Sequence, residues 1–335
     1  MANLDKDMIS CDSISSILCH HCKKWRGEVG KLKRCAGCKV VAYCGKECQK
    51  AAWPEHKQVC RKAIPAAETG ALIDFRELGY LTPISLHQGV CDWMEAQHWV
   101  LVTLIDALIL LDGGIDYNIS HPRGVVVILE ALPKTDDLDP ARAFKLLGAE
   151  VDDHDRYPGL VAGWRNLTAV CKEARKTLTP IFESSGLTLE STPGGATFVT
   201  VFPVMYVVQD TGMMAGHKHI LFRRRIQHVP RPDVLEDPRT RAALEDIAQL
   251  CMYLAGSEMV LRAAEGPSPE GLPDVGQMVR AKSKKGWKWE AVPWEWDTWT
   301  VSPTEVSMGS GLSPKKLLTV LDKSDPKDLD LYDSD

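Results

Sequence analysis

Seven of the chain's eleven cysteines fall between residues 19 and 60, and no other feature restricts the fold as much. They read Cys19-x2-Cys22, Cys35-x2-Cys38, Cys44-x3-Cys48 and, completed by a histidine, His56-x3-Cys60. Four ligand pairs make eight ligands, enough for two tetrahedral sites. A C-x2-C turn aims two sulfurs at one metal at about 2.3 Å, and an x3 spacing on a helix puts residues i and i+4 on one face. Disulfides are the competing use of so many thiols. Met1 to Ser10 carries Asp5, Lys6 and Asp7 where a secretory signal needs an apolar core, so the chain is expected to be intracellular, where thiols stay reduced. Arg223-Arg224-Arg225 and Lys282-x-Lys284-Lys285 are too short to decide between nucleus and cytoplasm. The expected cofactor is therefore zinc, two ions per chain. The segment offers only Leu32, Val40, Val41, Tyr43, Trp53 and Val59 as apolar material, and a unit this small seldom folds on a core alone. Binding at a structural zinc site is worth roughly 10–16 kcal/mol, more than the net stability of most domains, so metal should decide whether the segment is folded.

The full string, C-x2-C-x12-C-x2-C-x5-C-x3-C-x7-H-x3-C, has Tyr43 before the fifth ligand, Gln49 after the sixth and Trp53-Pro54-Glu55-His56-Lys57 around the seventh. Over residues 19–60 it resembles a MYND-type zinc finger. Spacing alone permits two sequential sites as readily as interleaved ones. The resemblance implies interleaving, with Cys19, Cys22, Cys44 and Cys48 on the first zinc and Cys35, Cys38, His56 and Cys60 on the second. It also implies a partner, since fingers of this family take Pro- and Leu-containing peptides along a short strand, and Gln49 and Trp53 stand at the groove-lining positions. RING fingers share the interleaving but place their histidine directly after the third ligand, which this chain does not.

Charge divides the chain. Residues 19–62 hold twelve lysines and arginines against three glutamates, a surplus of nine, while the whole chain has a formal charge of −5, so the remainder carries −14. A basic module on an acidic body suits two separate partners or mutual attraction. Nucleic acid is the obvious partner for a basic module, but it is disfavoured here because charge alone confers no specificity.

Beyond a hinge-like stretch at 61–83, Ser85 can cap a helix running to Leu111 with an almost wholly apolar second half. Gly124 to Leu132 (GVVVILEAL) reads as a buried strand, 160–176 as an amphipathic helix, 197–208 and 217–224 as strands with Pro203 at a bend or an edge, and 239–255 as a helix opened by Asp237 and Pro238. His217-x-His219 reads as an exposed polar pair. The apolar run Val100 to Leu111 is interrupted by Thr103 and Asp106 and is shorter than the ~20 residues of a membrane span, so no membrane association is expected. Five of the ten tryptophans lie within residues 286–299, which reads as a strap sealing the body. The order of the body is similar to the uncharacterised region that follows the finger in many fungal MYND proteins, on the strength of the Trp93 helix running into the strand at Val125.

Lysine methyltransferases that join a MYND finger to a SET domain carry an Asn-His-Ser-Cys-like turn and a Gly-Glu-Glu-Leu-like segment. Neither is found here, Asn118-Ile119-Ser120-His121 being the nearest string. Nucleotide-loop, zinc-protease and nucleophile-elbow motifs are also missing from the sequence. The expected architecture is a small two-zinc interleaved MYND finger followed by an α+β domain. It comprises an N-terminal extension (1–18), the finger (19–60), a linker (61–83), the α+β domain (84–262), a loop and Trp-rich strap (263–301) and a largely disordered acidic tail (302–335). The expected function is a zinc-binding adaptor docking proline-containing segments of other proteins, in transcriptional regulation if the family's setting carries over. The alternative is an enzyme of unrecognised class whose finger recruits substrate, with methyl transfer the weaker version. No catalytic residue is named.

Overall fold

The structure is a computed structural model that describes residues 19–22, 24, 29, 32–35, 42–60, 76–80, 83–121, 123–135, 138–152, 161–184, 197–223, 237–264, 271–281, 286–302, 305–306 and 308–321. In the N-terminal part, two short antiparallel strands, β1 (Lys33–Arg34) and β2 (Ala42–Tyr43), precede helix α1 (Lys46–Cys60).

The body follows as α2 (Pro83–Ala96), α3 (His98–Leu111), α4 (Gly114–Ser120), β3 (Gly124–Ala131), β4 (Phe144–Asp152), α5 (Val161–Ser184), β5 (Thr197–Val208), β6 (Met213–Arg223), α6 (Pro238–Ala255), β7 (Val260–Arg262), β8 (Asp274–Arg280), β9 (Trp287–Ala291) and α7 (Pro314–Val320). Its main sheet has the order β4-β3-β5-β6, with β3 parallel to β5 and the outer pairs antiparallel. β3 is buried on both faces, as its run of β-branched residues requires. Val125, Val127 and Leu129 join the large core with α2, α3 and α6, while Val126 packs under Trp164, Leu167 and Cys171 of α5. The result is a sheet between two helical layers. Gly124 starts β3 where no side chain fits: a Cβ there would lie 2.6 Å from the Trp164 ring and 2.9 Å from the Pro203 carbonyl oxygen.

Five expectations change. The single helix 85–111 is two, α2 and α3, bent by 82°. Between them Gln97, fully buried, gives its side-chain amide to the Ala141 carbonyl oxygen at 3.1 Å, which holds the corner. No single described helix is long and apolar enough to cross a membrane. Pro203 lies in an inner strand, and it is tolerated because the β3–β5 pairing starts one residue later, at Val204. His217 and His219 are buried, not exposed. His219 Nε2 lies 2.8 Å from Asp106 Oδ1 of α3, and His217 packs edge-on to the Tyr206 ring.

The loop expected from residue 263 contains strand β8, which pairs with β7 and β9 in a second, three-stranded sheet. The tail expected from residue 302 contains α7, whose Leu317, Leu318 and Val320 enter the main core. Buried Asp246 of α6 anchors this segment by accepting from Gly309 N (2.9 Å), Ser310 N (2.8 Å) and Ser310 Oγ. The extension 1–18, most of the linker and residues 322–335 lie outside the described residues. Trp289, Trp294, Trp296 and Trp299 are half-buried against the body.

Candidate metal centre

The four ligands of the first group arrive from three local devices, a turn, a bend and the start of a helix. Cys19 and Cys22 sit on a tight turn closed by Cys19 N donating to the Lys24 carbonyl oxygen at 2.9 Å, and His20 N ties this turn to Ala42 of β2 at 2.8 Å. Cys44 follows β2 directly and stands in the bend before α1, so the x3 spacing to Cys48 spans the start of a helix instead of lying within one. The four sulfurs converge within 4.8 Å of one another. Cys22 Sγ lies 3.8 Å from Cys44 Sγ, and Cys44 Sγ lies 3.3 Å from Cys48 Sγ. A zinc with four sulfurs at about 2.3 Å needs sulfur–sulfur edges of about 3.8 Å, the Cys22–Cys44 separation, while Cys44 and Cys48 at 3.3 Å would part slightly to hold the ion.

The surroundings favour thiolate. The Cys44 backbone N–H points at Cys19 Sγ, 3.5 Å away, and the first turn of α1 presents its unpaired N–H groups and positive dipole end beside Cys44 and Cys48. Burial pushes the Cys19 thiol up, but the N–H groups of Cys44, Cys22 and His21 outweigh it and bring the thiol down to about 6. Cys48 is pushed up to about 12, first by its hydrogen bond with Cys44 and then by burial. One thiolate therefore forms readily in the tetrad, at Cys19, while Cys48 resists ionising. A divalent cation is what allows the rest to ionise together.

Of the other expected ligands, Cys35 and His56 are both buried, at 1% and 5% exposure. Cys38 and the Cys60 side chain lie outside the described residues. Gln49 Nε2 donates to Cys35 Sγ at 3.8 Å, a contact that nothing in the sequence announces. Gln49, Trp53 and His56 are spaced i, i+4 and i+7 on α1 and so form one stripe along the helix. The Trp53 ring stands edge-on to His56 at 5.9 Å and is 39% exposed, whereas Tyr43, 6.1 Å from His56, is buried. His20 closes the group, 6.0 Å from His56.

Residues 19–60 match the family described as MYND finger. The chain is similar to SET domain and MYND-type zinc finger protein 6 of Schizosaccharomyces pombe, 42% identical over 67 residues, which is 20% of this chain and 13% of that protein. It is similar to histone-lysine N-methyltransferase SMYD3 of Homo sapiens, 39% identical over 51 residues, 15% of this chain and 11% of the relative. With Dauer abnormal formation protein 25 of Caenorhabditis elegans it shares 44% identity over 54 residues, 14% of either chain. The chain thus spans less than a sixth of the length of each of these relatives, and the matches cover 51 to 67 residues against a finger at 19–60. No solved structure matches. The ligand string, the converged sulfurs and the family match agree: residues 19–60 are a MYND zinc finger, followed in this chain by a mixed α/β region.

Proposed function

We propose that this is an intracellular adaptor whose finger holds two interleaved zinc ions and docks a short proline- and leucine-containing segment of another protein. Cys19, Cys22, Cys44 and Cys48 hold the first ion; Cys35, Cys38, His56 and Cys60 hold the second. The observation that carries the reading is the stripe Gln49, Trp53, His56 on α1. Its middle member is a tryptophan exposed at 39%, which offers an indole face to a ligand at the surface of the finger. The His56 edge holds the indole in place, so a proline ring can stack on a surface already ordered. Gln49 gives its amide nitrogen to Cys35, and its carbonyl oxygen can accept from a peptide N–H. The relatives named as histone-lysine methyltransferases lend the enzyme reading nothing specific to this chain, because the similarity stays at the finger.

Two measurements on the full chain test the proposal. Elemental analysis should give two zinc ions per chain for the native protein and one for His56→Ala; a native content of one overturns the interleaved pair. Titration with a proline- and leucine-containing peptide should weaken by at least about tenfold in Trp53→Ala at unchanged zinc content, in keeping with the cost of truncating a tryptophan anchor. An unchanged affinity removes Trp53 from the groove.

A further inference from the structure

Resting on the docking role of Trp53, we propose that the finger takes an acidic, leucine-bearing segment and that residues 322–335 of the same chain are its resident occupant, which an external peptide must displace. Gln49 and His56 flank Trp53 on one side of α1. On its other side the helix carries Lys46, Lys50 and Lys57, which with Trp53 are spaced i, i+4, i+7 and i+11 and so line one face. All four side chains are exposed. At about 100° per residue, the two glutamates of α1, Glu47 and Glu55, stand about a quarter-turn or more from the middle of this stripe. The face is therefore positive along its length, with an indole among the lysines. A ligand that suits it brings carboxylates and apolar side chains together.

Residues 322–335 (DKSDPKDLDLYDSD) have that composition. They hold six aspartates against two lysines, a surplus of four negative charges, and they contain Pro326, Leu329 and Leu331, the residue types of the finger's ligand. In an extended chain, Asp328-Leu329-Asp330-Leu331 puts both leucines on one side and both aspartates on the other. The leucines can then meet the indole while the long arms of the lysines reach the carboxylates. Exposed ion pairs contribute little each. The apolar contacts with Trp53 thus carry the affinity, and charge selects the segment.

The segment starts directly after Leu321, which is buried in the main core, so its first residue is fixed to the body. Extended, residues 322–329 span up to about 28 Å, and residues 61–75, between Cys60 and Arg76, up to about 50 Å. Docking closes a loop within one chain, at an effective concentration on the order of a millimolar. A segment with a Kd of about 0.1–0.5 mM would then fill most fingers and weaken an external peptide roughly three- to tenfold.

The test uses the full chain with its zinc and an uncharged, fluorescein-labelled peptide containing proline and leucine, followed by anisotropy. Variants are compared at equal zinc content. Leu329→Ala/Leu331→Ala is expected to bind this peptide roughly three- to tenfold more tightly than the native chain. Lys50→Glu/Lys57→Glu, which repels the segment but not an uncharged peptide, should tighten binding likewise. In the native chain at micromolar concentration, a carbodiimide should join a lysine of α1 to an aspartate of 322–335 within single chains, as read by mass spectrometry on a mixture of isotope-labelled and unlabelled protein. Equal affinity in the native chain and the leucine variant, with Trp53→Ala in the leucine-variant background still weakening it, overturns the self-occupied finger and leaves peptide docking standing. An affinity indifferent to Trp53→Ala in that background overturns both. Cross-links found only between labelled and unlabelled chains put the segment of a second copy on the finger and overturn occupancy within the chain.

Discussion

Replacing Cys44 by serine should separate the stability of the finger from that of the body. Cys44 touches all three other members of the tetrad: its sulfur lies 3.3 Å from that of Cys48 and 3.8 Å from that of Cys22, and its N–H reaches Cys19. Serine keeps the backbone and the size but offers a hydroxyl that does not ionise. It therefore removes one of four metal bonds and one negative charge. If the roughly 10–16 kcal/mol of a structural zinc site is shared about equally among four ligands, one ligand is worth about 2.5–4 kcal/mol, a weakening of zinc affinity of about 70- to 900-fold. Competition against a chromophoric zinc chelator measures this directly. Limited proteolysis of the same sample should show cleavage within residues 19–60 while the body resists. Cys171→Ser is the matching control: burial between α5 and the sheet pushes that thiol up to about 12, with Lys218 opposing only in part, so it is neither a ligand nor a thiolate. An unchanged zinc affinity in Cys44→Ser refutes the tetrad. A body that unfolds along with the finger refutes their separation.

Two further outcomes concern the body. Asp106→Ala removes the carboxylate 2.8 Å from the buried His219 and should cost about 1–3 kcal/mol in urea unfolding, with Asp106→Asn recovering part of it; a shift below about half a kilocalorie would mean that the pair is not needed. Asp246→Ala leaves the N–H groups of Gly309 and Ser310 without their acceptor and should open residues 308–321 to protease at a temperature where α6 still holds. Equal resistance of variant and native protein would show that Leu317 and Leu318 hold the segment unaided.

The tetrad Cys19, Cys22, Cys44 and Cys48 is legible in the sequence because metal coordination imposes short, fixed local spacings. The buried strand β3 is legible for a similar reason: its β-branched run states the environment without reference to anything distant. What escapes the sequence depends on remote partners. The burial of His219 is answered by Asp106, which interrupts an apolar helix more than a hundred residues earlier and acquires its meaning only when α3 is laid on the sheet. β8 reads as loop because Pro273 precedes it and Gly276 interrupts it, yet a Cβ at Gly276 would meet the Trp289 ring and the Glu290 carbonyl oxygen. That glycine marks a close approach inside a strand rather than a break. α7 sits in a stretch of modest hydrophobicity, and its leucines find their place only against α6.

The parallel pairing of β3 with β5 bears on how the chain acquires its structure. Val125 finds its neighbour in Val204, so the central ladder of the body cannot close until β4 and α5 have been made and the chain has returned. Contacts this distant in sequence form slowly, since the entropy of a long loop is lost before any contact rewards it. The finger has no such wait, because its ligands are close neighbours along the chain. During synthesis it can take up metal while the strand that will sit at the centre of the body still lacks its partner. Refolding from denaturant in the presence of zinc should accordingly show a fast phase in the first sixty residues and a slow one everywhere else.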